Sequence, residues 1–528
     1  MVGCSGIDVE TCPPALSIPR SYNAACDFID CHLKAGRTGN IAVIDETGSY
    51  TYADLAERVN RAGNAFIALG ISRNDRVAMA LPDGIDFPSV FWGCIKAGII
   101  PIPLNTLLTT SDYEYILTDS RARTLVISAA LFEKFEPLIE KPPFLKNIII
   151  AGSENKSPYP LLTELMNRSK PLLEAAPTSR DDIAFWLYSS GSTGMPKGVM
   201  HRHSHLIQTA ALYGIGILAI NETDRMYSAA KLFFAYGLGN GMSFPFLVGA
   251  TAILLSGRPT PETVMDIIKH YKPTIFFGVP VLFAGILADP NNRPAPGSHC
   301  LRVCVSAGEA LPEEIGRRFG DWFGVPVLDG IGSTEMLHIF LSNRMDDPAY
   351  GTSGKPVPGY EVKLVNEEGE QAGINEMGEL LVSGPSAAAG YWKQQQKSRQ
   401  TFQGRWTCTG DKYRVDENGY YTYCGRTDDM LKVSGQWVSP FEVESVLIQH
   451  AAVLEAAVAG MRDENNLPKP KAYVVLKPGI DASAGLAAEI QAFVKARLAK
   501  HKYPRWIEFV DALPKTATGK IQRFKLRQ

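Results

Sequence analysis

The hydrophobic and polar positions of this chain alternate between two patterns over its first four-fifths. Short apolar runs, typical of buried strands, recur along the sequence: RVAMAL (76–81), TLVIS (124–128), NIIIAG (147–152), ATAILL (250–255), TIFFGVP (274–280) and LRVCVSAG (301–308). Between them lie segments such as YADLAERVNRAGNAFIALG, where apolar residues recur every three or four positions, as on one face of a helix. Strands that alternate with amphipathic helices predict an α/β fold, in which helices cover largely parallel sheets.

The pattern changes after Arg426, where a different arrangement of elements begins. Ser439, followed by Pro440 and Glu442, has the residues of a capping box at the start of a helix. Then follow a strand near VLEAAVAGM, a strand KAYVVLKP, a helix AAEIQAFVKARLA and a strand RWIEFVDALP. We therefore expect a large N-terminal lobe over residues 1–427 and a small, mobile α+β domain over residues 428–528.

An uncharged stretch from Leu232 to Gly257 raises the question of a membrane span. The stretch is longer than the ~20 residues that cross a bilayer. Several glycines, together with Asn240 and Pro245, interrupt it. These breaks favour a loop, a short buried helix and a strand at ATAILL over a membrane-spanning helix.

Composition and charge remove several classes of protein. Hydrophobic residues make up 45% and charged residues 20% of the 528 positions, which is typical of a folded globular protein rather than a disordered one. The formal net charge is -2, so the chain lacks the overall positive field that concentrates nucleic acid or anionic lipid. We expect neither a nucleic-acid partner nor a membrane partner.

The cysteines and the N-terminus bear on the compartment. Nine cysteines are spread along the chain without any Cys-x-x-Cys pair. Cys300 and Cys304 are spaced like half of a metal site, but their surroundings are typical of a buried strand and favour core thiols. The first residues, MVGCSGIDVETC, lack the basic and apolar regions of a signal peptide. These features predict a protein of the reducing cytoplasm.

The segment YSSGSTGMPKGV (188–199) carries the strongest chemical signal. Its glycines let backbone N–H groups turn toward an anion, its serines and threonine add hydroxyl donors, and Lys197 adds a positive charge. The spacing differs from a Walker A loop, and Pro196 precedes the lysine. A flexible surface loop is the alternative, but the apolar, strand-like AFWLY comes just before the segment. We therefore predict a phosphate-binding loop of another class.

This segment resembles the phosphate loop of the adenylate-forming superfamily, which includes acyl-CoA synthetases, adenylation domains and beetle luciferases. Further segments match the family's motifs in the family's order: SAGEAL (306–311), DGIGSTEM (329–336), TGDKY (409–413), YCGRTDDMLKVSGQWVSP (423–440) and PKTATGKIQR (514–523). Ile331 stands where an aromatic residue is common in the family. Within the superfamily, KLFFAYGLGN, GSTEMLHIFLSN, GRTDDMLKVSG and LPKTATGKIQR resemble benzoate- and hydroxybenzoate-CoA ligases most.

The resemblance implies an ATP site built from several of these motifs. The residues expected to bind ATP or coenzyme A are Ser189, Ser190, Gly191, Ser192, Thr193, Gly194, Lys197, Ala307, Gly308, Glu309, Asp329, Gly330, Ile331, Gly332, Ser333, Asp411, Arg426, Lys432, Ser434 and Gly435. Asp411 should accept from both ribose hydroxyls and Arg426 should donate to them, the alternative being a solvated surface pair. Thr334 should contact the α-phosphate. Glu335 should hold Mg2+, a hard cation suited to carboxylate and phosphate oxygens.

The resemblance also implies roles for the C-terminal part of the chain. Lys520, in TATGK, matches the family's mobile lysine, which would bridge the carboxylate and the ribose-phosphate oxygens during adenylation. Asp428 matches the hinge about which the small domain would rotate. Gly435 lies on the loop that would then enter the cleft and leave room for a pantetheine arm. The expected catalytic residues are thus Lys520, Thr334 and Glu335.

Three histidines, His201, His203 and His205, follow the phosphate loop and invite a metal interpretation. On a strand, alternate positions would place three imidazoles on one face. The cluster runs into LIQTAALYG, however, a helical pattern that Ser204 would cap. This context argues against a metal site.

The acid pocket is expected around FFAYG (233–237), where amino-acid-activating relatives carry an Asp that pairs with the substrate ammonium. No acid stands here, so an α-amino acid would bury an unpaired cation. If they are not simply core residues, the expected walls are Ala235, Tyr236, Gly237, Gly278, Val279, Pro280, Ile331, His338 and Ile339. Most are apolar or small, the Tyr236 ring can lie against a flat acid, and His338 or the Tyr236 hydroxyl can meet a ring substituent.

Together these expectations describe a two-step aryl-CoA ligase that uses ATP, Mg2+ and coenzyme A. ATP and a small aromatic carboxylic acid, benzoate or a hydroxy- or aminobenzoate, give aryl-AMP and pyrophosphate, and the coenzyme A thiol then displaces AMP. Two alternatives stay open: a stand-alone adenylation enzyme that loads a separate carrier protein, and a binding protein with this fold. Glu335, Arg426 and Lys520 argue against the binding protein. The ring substituents and a homodimer are left open.

Overall fold

The computed structural model describes residues 3–152, 158–191, 194–433, 436–464, 467–515 and 521–526. Its largest element is a nine-stranded sheet, whose central strands run parallel and whose edge strands run antiparallel. In spatial order the strands are Lys355–Pro356, Ile339–Ser342, Val327–Gly332, Val303–Ser306, Ile275–Gly278, Arg225–Ser228, Thr251–Ile253, Ile41–Asp45 and Gly48–Thr51. The α/β fold with largely parallel sheets is thereby confirmed.

A second sheet is parallel throughout and contains three of the apolar runs that the sequence pattern marked as strands. Its strands, in spatial order, are Ile100–Pro103, Arg76–Ala80, Thr124–Ser128 and Asn147–Ala151. The α-helices of the described residues up to 426 are Cys31–Lys34, Tyr52–Ala68, Asp86–Ala97, Thr110–Ser120, Phe132–Phe135, Leu162–Asn167, His203–Thr209, Ala235–Leu238, Phe244–Val248, Pro261–His270, Pro280–Ala288, Glu313–Phe323 and Gln395–Thr401.

Local sequence explains where these helices begin. The Thr51 hydroxyl accepts from the Asp54 N–H at 3.2 Å, and the Asp54 carboxylate accepts from the Thr51 N–H at 2.9 Å, which starts the longest helix with a capping box. The helix after the phosphate loop begins at His203, with Arg202 at the N-cap position. Ser204 therefore lies inside the first turn, and its prediction as the cap is wrong.

Two antiparallel sheets adjoin the parallel ones, and of their strands the sequence pattern indicated only the strand-like AFWLY, which lies in Ile183–Gly191. One contains Gly390–Tyr391, Gly194–Arg202 and Ile183–Gly191, and the other Glu361–Val365, Gly378–Ser383, Trp406–Val415, Phe402–Gln403 and Tyr421–Arg426. Many positions of the second sheet are half-exposed. Such strands lack the continuous apolar runs of a doubly covered parallel sheet, so they did not stand out in the sequence.

The C-terminal part contains the elements that its sequence pattern indicated. They are the strands Val453–Arg462, Pro468–Leu476 and Trp506–Phe509 and the helices Pro440–Leu447 and Ala484–Lys495. The antiparallel strands Leu431–Val433 and Gln436–Val438, which pair with each other, were not predicted. The Ser439 hydroxyl accepts from the Glu442 N–H at 3.1 Å, which is one half of the predicted capping box. The Glu442 carboxylate binds the Lys502 ammonium at 2.7 Å instead. The domain boundary at residue 428 stays a prediction.

The uncharged stretch from Leu232 to Gly257 is folded into short elements. Helical turns at Ala235–Leu238, Gly239–Ser243 and Phe244–Val248 are followed by a strand at Thr251–Ile253. Gly249 has φ +83 and ends the last turn in the left-handed conformation. The predicted short helix and strand are confirmed, and no helix within the described ranges is long and apolar enough to cross a membrane.

The largest hydrophobic core supports the strand that leads into the phosphate loop. The Phe185 ring, in that strand, packs edge-on against Phe91 with ring centres 5.5 Å apart, and Phe91 packs in the same way against Trp92 at 5.4 Å. All three side chains are buried. Cys304 is buried as predicted, whereas Cys300 is exposed, because its strand begins only at Val303.

Candidate active site

The predicted phosphate loop joins two antiparallel strands, Ile183–Gly191 and Gly194–Arg202. Lys197 lies opposite Ser189 across this hairpin. The Ser189 hydroxyl is buried and has no hydrogen-bond partner within the described ranges, so it suits a donor to a phosphate oxygen. The other predicted loop residues are Ser190, Gly191 and Gly194, which lie in the strands, and Ser192 and Thr193, which lie outside the described residues.

The Lys197 ammonium lies in a cluster with Glu335 and Tyr391. Its Nζ atom is 3.9 Å from Glu335 Oε1, 3.4 Å from the Tyr391 hydroxyl oxygen and 4.4 Å from the centre of the Tyr391 ring. The Tyr391 hydroxyl donates to Glu335 Oε1 at 2.8 Å. Burial lowers the pKa of Lys197, and burial together with the Glu335 carboxylate raises the pKa of Tyr391. A positive charge, a carboxylate and a protonated phenol thus share one partly buried place beside the hairpin.

Side-chain and backbone contacts fix the loop that carries Thr334 and Glu335. The Ala388 N–H donates to the Glu335 carbonyl oxygen at 2.8 Å. His201 Nε2 lies 2.8 Å from the Thr334 carbonyl oxygen, and because a carbonyl only accepts, Nε2 carries the proton. The strand that follows the phosphate loop therefore holds the facing loop in place.

The three histidines after the phosphate loop are buried among protein partners. His201 Nδ1 lies 3.1 Å from His205 Nδ1, and His203 Nδ1 accepts from the Ala24 N–H at 3.2 Å. Burial lowers the pKa of His201 and of His203 to about 4, so both rings are neutral near pH 7. The part of the chain that the structure describes contains no group of three or more His, Cys, Asp or Glu residues that could hold a metal ion.

Glu335 has the chemistry that a magnesium-nucleotide complex needs. Its Oε1 atom is engaged by Tyr391 and Lys197, while within the described residues Oε2 is left for another ligand. Mg2+ usually takes one or two protein carboxylates and completes its octahedron with phosphate oxygens and water. The paired strands Ile183–Gly191 and Gly194–Arg202 are called the phosphate hairpin below. A carboxylate beside this hairpin suits a metal ion that arrives with the nucleotide.

Asp411 and Arg426 lie opposite each other on the paired strands Trp406–Val415 and Tyr421–Arg426. The Arg426 NH1 atom is 3.1 Å from Asp411 Oδ1 and also donates to the Thr409 carbonyl oxygen at 3.1 Å. The Asp411 carboxylate raises the pKa of Arg426. The Asp411 side chain is only 10% exposed and that of Arg426 is 40% exposed, so the carboxylate is withdrawn from solvent while the guanidinium reaches it. A fixed carboxylate beside a guanidinium suits the two hydroxyls of a ribose.

The carboxyl ends of two neighbouring parallel strands place the remaining predicted nucleotide residues together. Ala307, Gly308 and Glu309 follow the strand Val303–Ser306, while the strand Val327–Gly332 ends in Gly330, Ile331 and Gly332 and leads into Ser333. Ligands of open α/β sheets bind outside this edge. The Asp329 carboxylate, in contrast, is buried and accepts from the Leu311 N–H at 3.2 Å and from the Ser353 hydroxyl at 3.4 Å. Asp329 therefore fixes the two loops rather than facing a nucleotide.

The predicted acid pocket lies between the helical turn Ala235–Leu238 and the strand Ile275–Gly278. Its partly exposed members are Ala235, Tyr236, Val279 and Ile331, and its buried members are Gly237, Gly278, Pro280, His338 and Ile339. The Tyr236 hydroxyl lies 3.2 Å from the Val305 carbonyl oxygen and 3.4 Å from that of Gly278. Its proton is committed to the backbone, so Tyr236 contributes its ring rather than a donor to a substituent.

His338 is the polar group of this pocket. Its ring centre is 5.7 Å from that of Tyr236, and its Nε2 atom lies 3.0 Å from Asn240 Oδ1. An amide oxygen accepts, so Nε2 carries the proton and Nδ1 is an acceptor. Nδ1 is buried and without a hydrogen-bond partner in the described ranges, and burial lowers the pKa of His338 to about 3. The ring is neutral and can accept from a hydroxyl or amino group.

Polar contacts link the C-terminal part to this site. Glu309 Oε1 accepts from the Ile521 N–H at 3.0 Å, and the Trp437 indole N–H donates to Glu367. Lys432 is exposed, with Nζ 4.0 Å from Glu367 Oε2. Asp428 lies exposed between the strands Tyr421–Arg426 and Leu431–Val433. Three predicted residues, Ser434, Gly435 and Lys520, lie outside the described residues.

The sequence motifs did not indicate Tyr391 or the role of His201. Tyr391 stands 56 positions from Glu335, and His201 stands 133 positions from Thr334. Neither spacing belongs to a local motif, so only the folded chain brings these pairs together. The sole sequence signal for His201 was its place directly after the phosphate loop.

Comparisons with known proteins agree with this geometry. Residues 32–392 match the family described as AMP-binding enzyme, and residues 442–520 match the AMP-binding enzyme C-terminal domain. A benzoate–CoA ligase of Thauera aromatica is 57% identical over 531 residues, with 100% of both chains covered. A 4-hydroxybenzoate–CoA/benzoate–CoA ligase of Rhodopseudomonas palustris is 48% identical, with 96% of this chain and 94% of that protein covered. The crystal structure of an anthranilate–CoA ligase in complex with anthranoyl-AMP superposes with a TM-score of 0.92 at 43% identity, covering 96% of this chain and 97% of that one.

Proposed function

The chain belongs to the AMP-binding enzyme family, and we propose that it is an ATP-dependent aryl-CoA ligase for benzoate or a small hydroxy- or aminobenzoate. It is an AMP-forming acid–thiol ligase: the acid and ATP give aryl-AMP and pyrophosphate, and coenzyme A then gives the thioester and AMP. The observation that carries this assignment is the cluster of Lys197, Glu335 and Tyr391 beside the phosphate hairpin. Full-length identity of 57% to a benzoate–CoA ligase supports the same activity.

In the first step, a carboxylate oxygen forms a bond to the α-phosphorus of ATP as the bond to pyrophosphate breaks. Both reactants are anions, so the protein must provide positive charge and hydrogen-bond donors where negative charge accumulates. Lys197 and the Ser189 hydroxyl provide them from the hairpin, and Thr334 does so from the facing loop. Glu335 would hold the Mg2+ that accompanies ATP, and that ion would supply further positive charge.

In the second step, the deprotonated thiol of coenzyme A forms a bond to the acyl carbon as the carbon–oxygen bond to AMP breaks. We assign Lys520 to the first step and the segment around Gly435 to the second, with Asp428 as the hinge between them. The motif match and the family match over residues 442–520 support this division.

The acid is an aromatic carboxylate without a charged amino group. The walls around Ala235 and Tyr236 carry no carboxylate to pair with an α-ammonium, and an unpaired buried cation is strongly unfavourable. His338 Nδ1 is an acceptor that a ring hydroxyl or amino group can satisfy. Relatives named for benzoate, 4-hydroxybenzoate and anthranilate support the same range of substrates.

Coenzyme A is the acceptor that the three relatives described above favour, since those three are named as CoA ligases. A carrier protein is the alternative acceptor. We also propose Mg2+ as the metal ion held by Glu335. All nine cysteines are free thiols, which supports the cytoplasm as the location. A homodimer stays a prediction.

A pyrophosphate-release assay tests the assignment. Benzoate, 4-hydroxybenzoate and 2-aminobenzoate should each support release, with steady turnover only when coenzyme A is present. Octanoate and phenylalanine should be poor substrates, and Glu335→Gln should lower release with every acid. If octanoate or phenylalanine gave a higher kcat/KM than every benzoate, the substrate assignment would be wrong. Release that stopped after one turnover despite coenzyme A would favour the carrier protein.

A further inference from the structure

Tyr391 contacts both charged side chains of the phosphate site, although it belongs to none of the motifs. Its hydroxyl donates to Glu335 Oε1 at 2.8 Å and accepts from the Lys197 ammonium at 3.4 Å. The same ammonium lies 4.4 Å from the centre of its ring. The side chain is 5% exposed, so solvent screens these contacts little.

The fold places Tyr391 here through pairing with the phosphate hairpin. Tyr391 lies opposite Val199, two positions after Lys197 in the strand Gly194–Arg202. Three positions earlier, the Ala388 N–H donates to the Glu335 carbonyl oxygen at 2.8 Å. One short segment therefore holds both the hairpin and the Glu335 backbone.

We propose that Tyr391 is a positioning residue, whose hydroxyl holds Oε1 of Glu335 and so leaves Oε2 as the ligand for Mg2+–ATP. The proposal rests on the proposed function, because it takes Glu335 as the metal-binding carboxylate. Among the residues that the structure describes, the Glu335 carboxylate has two partners, the Tyr391 hydroxyl and the Lys197 ammonium. Lys197 is drawn toward the phosphates when the nucleotide binds, and the phenol then remains to orient the carboxylate.

A phenol suits this role better than a second cation would. A hydroxyl that donates to a carboxylate makes a strong, directional hydrogen bond without neutralising the charge that attracts the metal ion. The ring beneath Lys197 keeps the ammonium close by cation–π attraction but leaves its N–H donors available. Tyr391 thus connects the two charged groups while each stays available to the nucleotide.

Tyr391→Phe tests this assignment, because it keeps the ring and removes only the hydroxyl. Calorimetry would measure ATP affinity with excess Mg2+ and with a chelator, in the absence of any acid. Mg2+ raises the affinity for ATP, and we expect this increase to be about tenfold smaller in Tyr391→Phe, which is the effect of losing one charge-assisted hydrogen bond. The ATP affinity measured in the presence of the chelator should be unchanged. The kcat of pyrophosphate release should fall with little change in the KM for benzoate. Tyr113→Phe is the matched control, since it removes a buried hydroxyl that donates to the Asn105 carbonyl oxygen at 2.7 Å.

A double-mutant cycle separates positioning from a general loss of structure. In the Glu335→Gln background, Tyr391→Phe should have no further effect on the Mg2+-dependent affinity. The same loss in both backgrounds would show that Tyr391 does not act through Glu335, and unchanged Mg2+ dependence in a folded Tyr391→Phe variant would equally overturn the proposal. If wild-type protein binds Mg2+–ATP but releases no pyrophosphate with any benzoate, the substrate assignment is refuted. The ATP titration would still test the role of Tyr391.

Discussion

The phosphate site and the C-terminal part are joined to the rest of the chain by different kinds of contact. Lys197, Glu335 and Tyr391 are held by strand pairing and backbone hydrogen bonds within residues 183–392. The C-terminal part meets the rest of the chain through separate contacts. Examples are the bond from the Ile521 N–H to Glu309 at 3.0 Å and the ring pair of Tyr423 and Phe441 at 5.3 Å.

Inside the C-terminal part the ties are stronger. The Arg523 guanidinium is 2.7 Å from Glu444 Oε2 and 3.7 Å from Asp429, next to the predicted hinge. Glu444 Oε1 also accepts from the Val458 N–H at 2.7 Å. A unit that is firm inside and meets the rest of the chain through separate side-chain contacts can change orientation at low cost. The difference teaches that Lys197 and Glu335, the charged groups of the phosphate site, are fixed by the sheets, whereas the groups that we assign to one step only belong to the C-terminal part.

The largest expected effect separates the two half-reactions. Lys520→Ala should lower pyrophosphate release about 100-fold or more, since a positive charge near the reacting phosphate is lost. Supplied benzoyl-AMP should still be converted to the thioester by coenzyme A at the wild-type rate. Lys515→Ala is the control, because the Lys515 ammonium binds Glu455 at 2.7 Å within the C-terminal part. Equal losses in both half-reactions for Lys520→Ala would contradict a lysine that serves one step.

The second-largest effect should be on nucleotide binding, through Asp411 of the large N-terminal lobe. Asp411→Ala should weaken ATP and AMP binding by about tenfold or more, because hydrogen bonds to a charged group contribute ~1.5–3 kcal/mol each. Asp411→Asn keeps an acceptor and should lose less. Calorimetry with ATP, AMP and pyrophosphate would check this, with pyrophosphate affinity unchanged. Unaltered ATP affinity in Asp411→Ala would remove this residue from the ribose site.

Acid should destabilise the large N-terminal lobe through its buried histidines. Burial lowers the pKa of His32, His201 and His203 to about 4 in the folded chain, against ~6.5 in the unfolded chain. Between pH 4 and pH 6.5 the unfolded state therefore binds more protons than the folded state. The contribution of these histidines to the free energy of unfolding is complete above pH 6.5 and falls as the pH drops toward 4. Each such histidine contributes a slope of about 1.4 kcal/mol per pH unit.

Thermal unfolding between pH 7.5 and pH 4.5 would measure this loss. His203→Gln keeps an acceptor for the Ala24 N–H and should flatten the dependence, whereas His270→Gln, at an exposed position, should not. Hydrogen exchange should show that residues 183–209 lose protection before the strands at 453–476. A Tm that is independent of pH over this range would be inconsistent with neutral buried histidines.

How much the sequence could predict depended on how locally each feature is encoded. Parallel strands such as Thr124–Ser128 were predictable because both faces are buried and the three central positions, Leu125, Val126 and Ile127, form an unbroken apolar run. Lys197 and Glu335 could be predicted because they stand in motifs whose spacing carries their chemistry. Tyr391 could not, because strand pairing and the fold of intervening residues create its contacts. Cys300 shows the opposite error. Its apolar neighbours in the sequence predicted a buried thiol, but Cys300 itself is exposed.

The smallest effect should appear in the choice among acids. Ala235→Leu places a larger side chain in the pocket wall, so kcat/KM should fall several-fold more for substituted benzoates than for benzoate, by roughly 1 kcal/mol of lost transition-state binding. Benzoate is the internal control, and coenzyme A kinetics should be unchanged. Equal loss for benzoate and for 4-hydroxybenzoate would mean that Ala235 does not line the part of the pocket near the substituent.

Oxygen transfer tests the central claim most directly, because an acid that attacks the α-phosphorus must leave one of its own oxygens there. With benzoate labelled in both carboxylate oxygens with oxygen-18, and with ATP and coenzyme A, mass spectrometry should find one labelled oxygen in each AMP formed and none in pyrophosphate. Unlabelled AMP, or label in pyrophosphate or inorganic phosphate, would contradict an aryl-AMP intermediate at the site of Lys197, Glu335 and Tyr391.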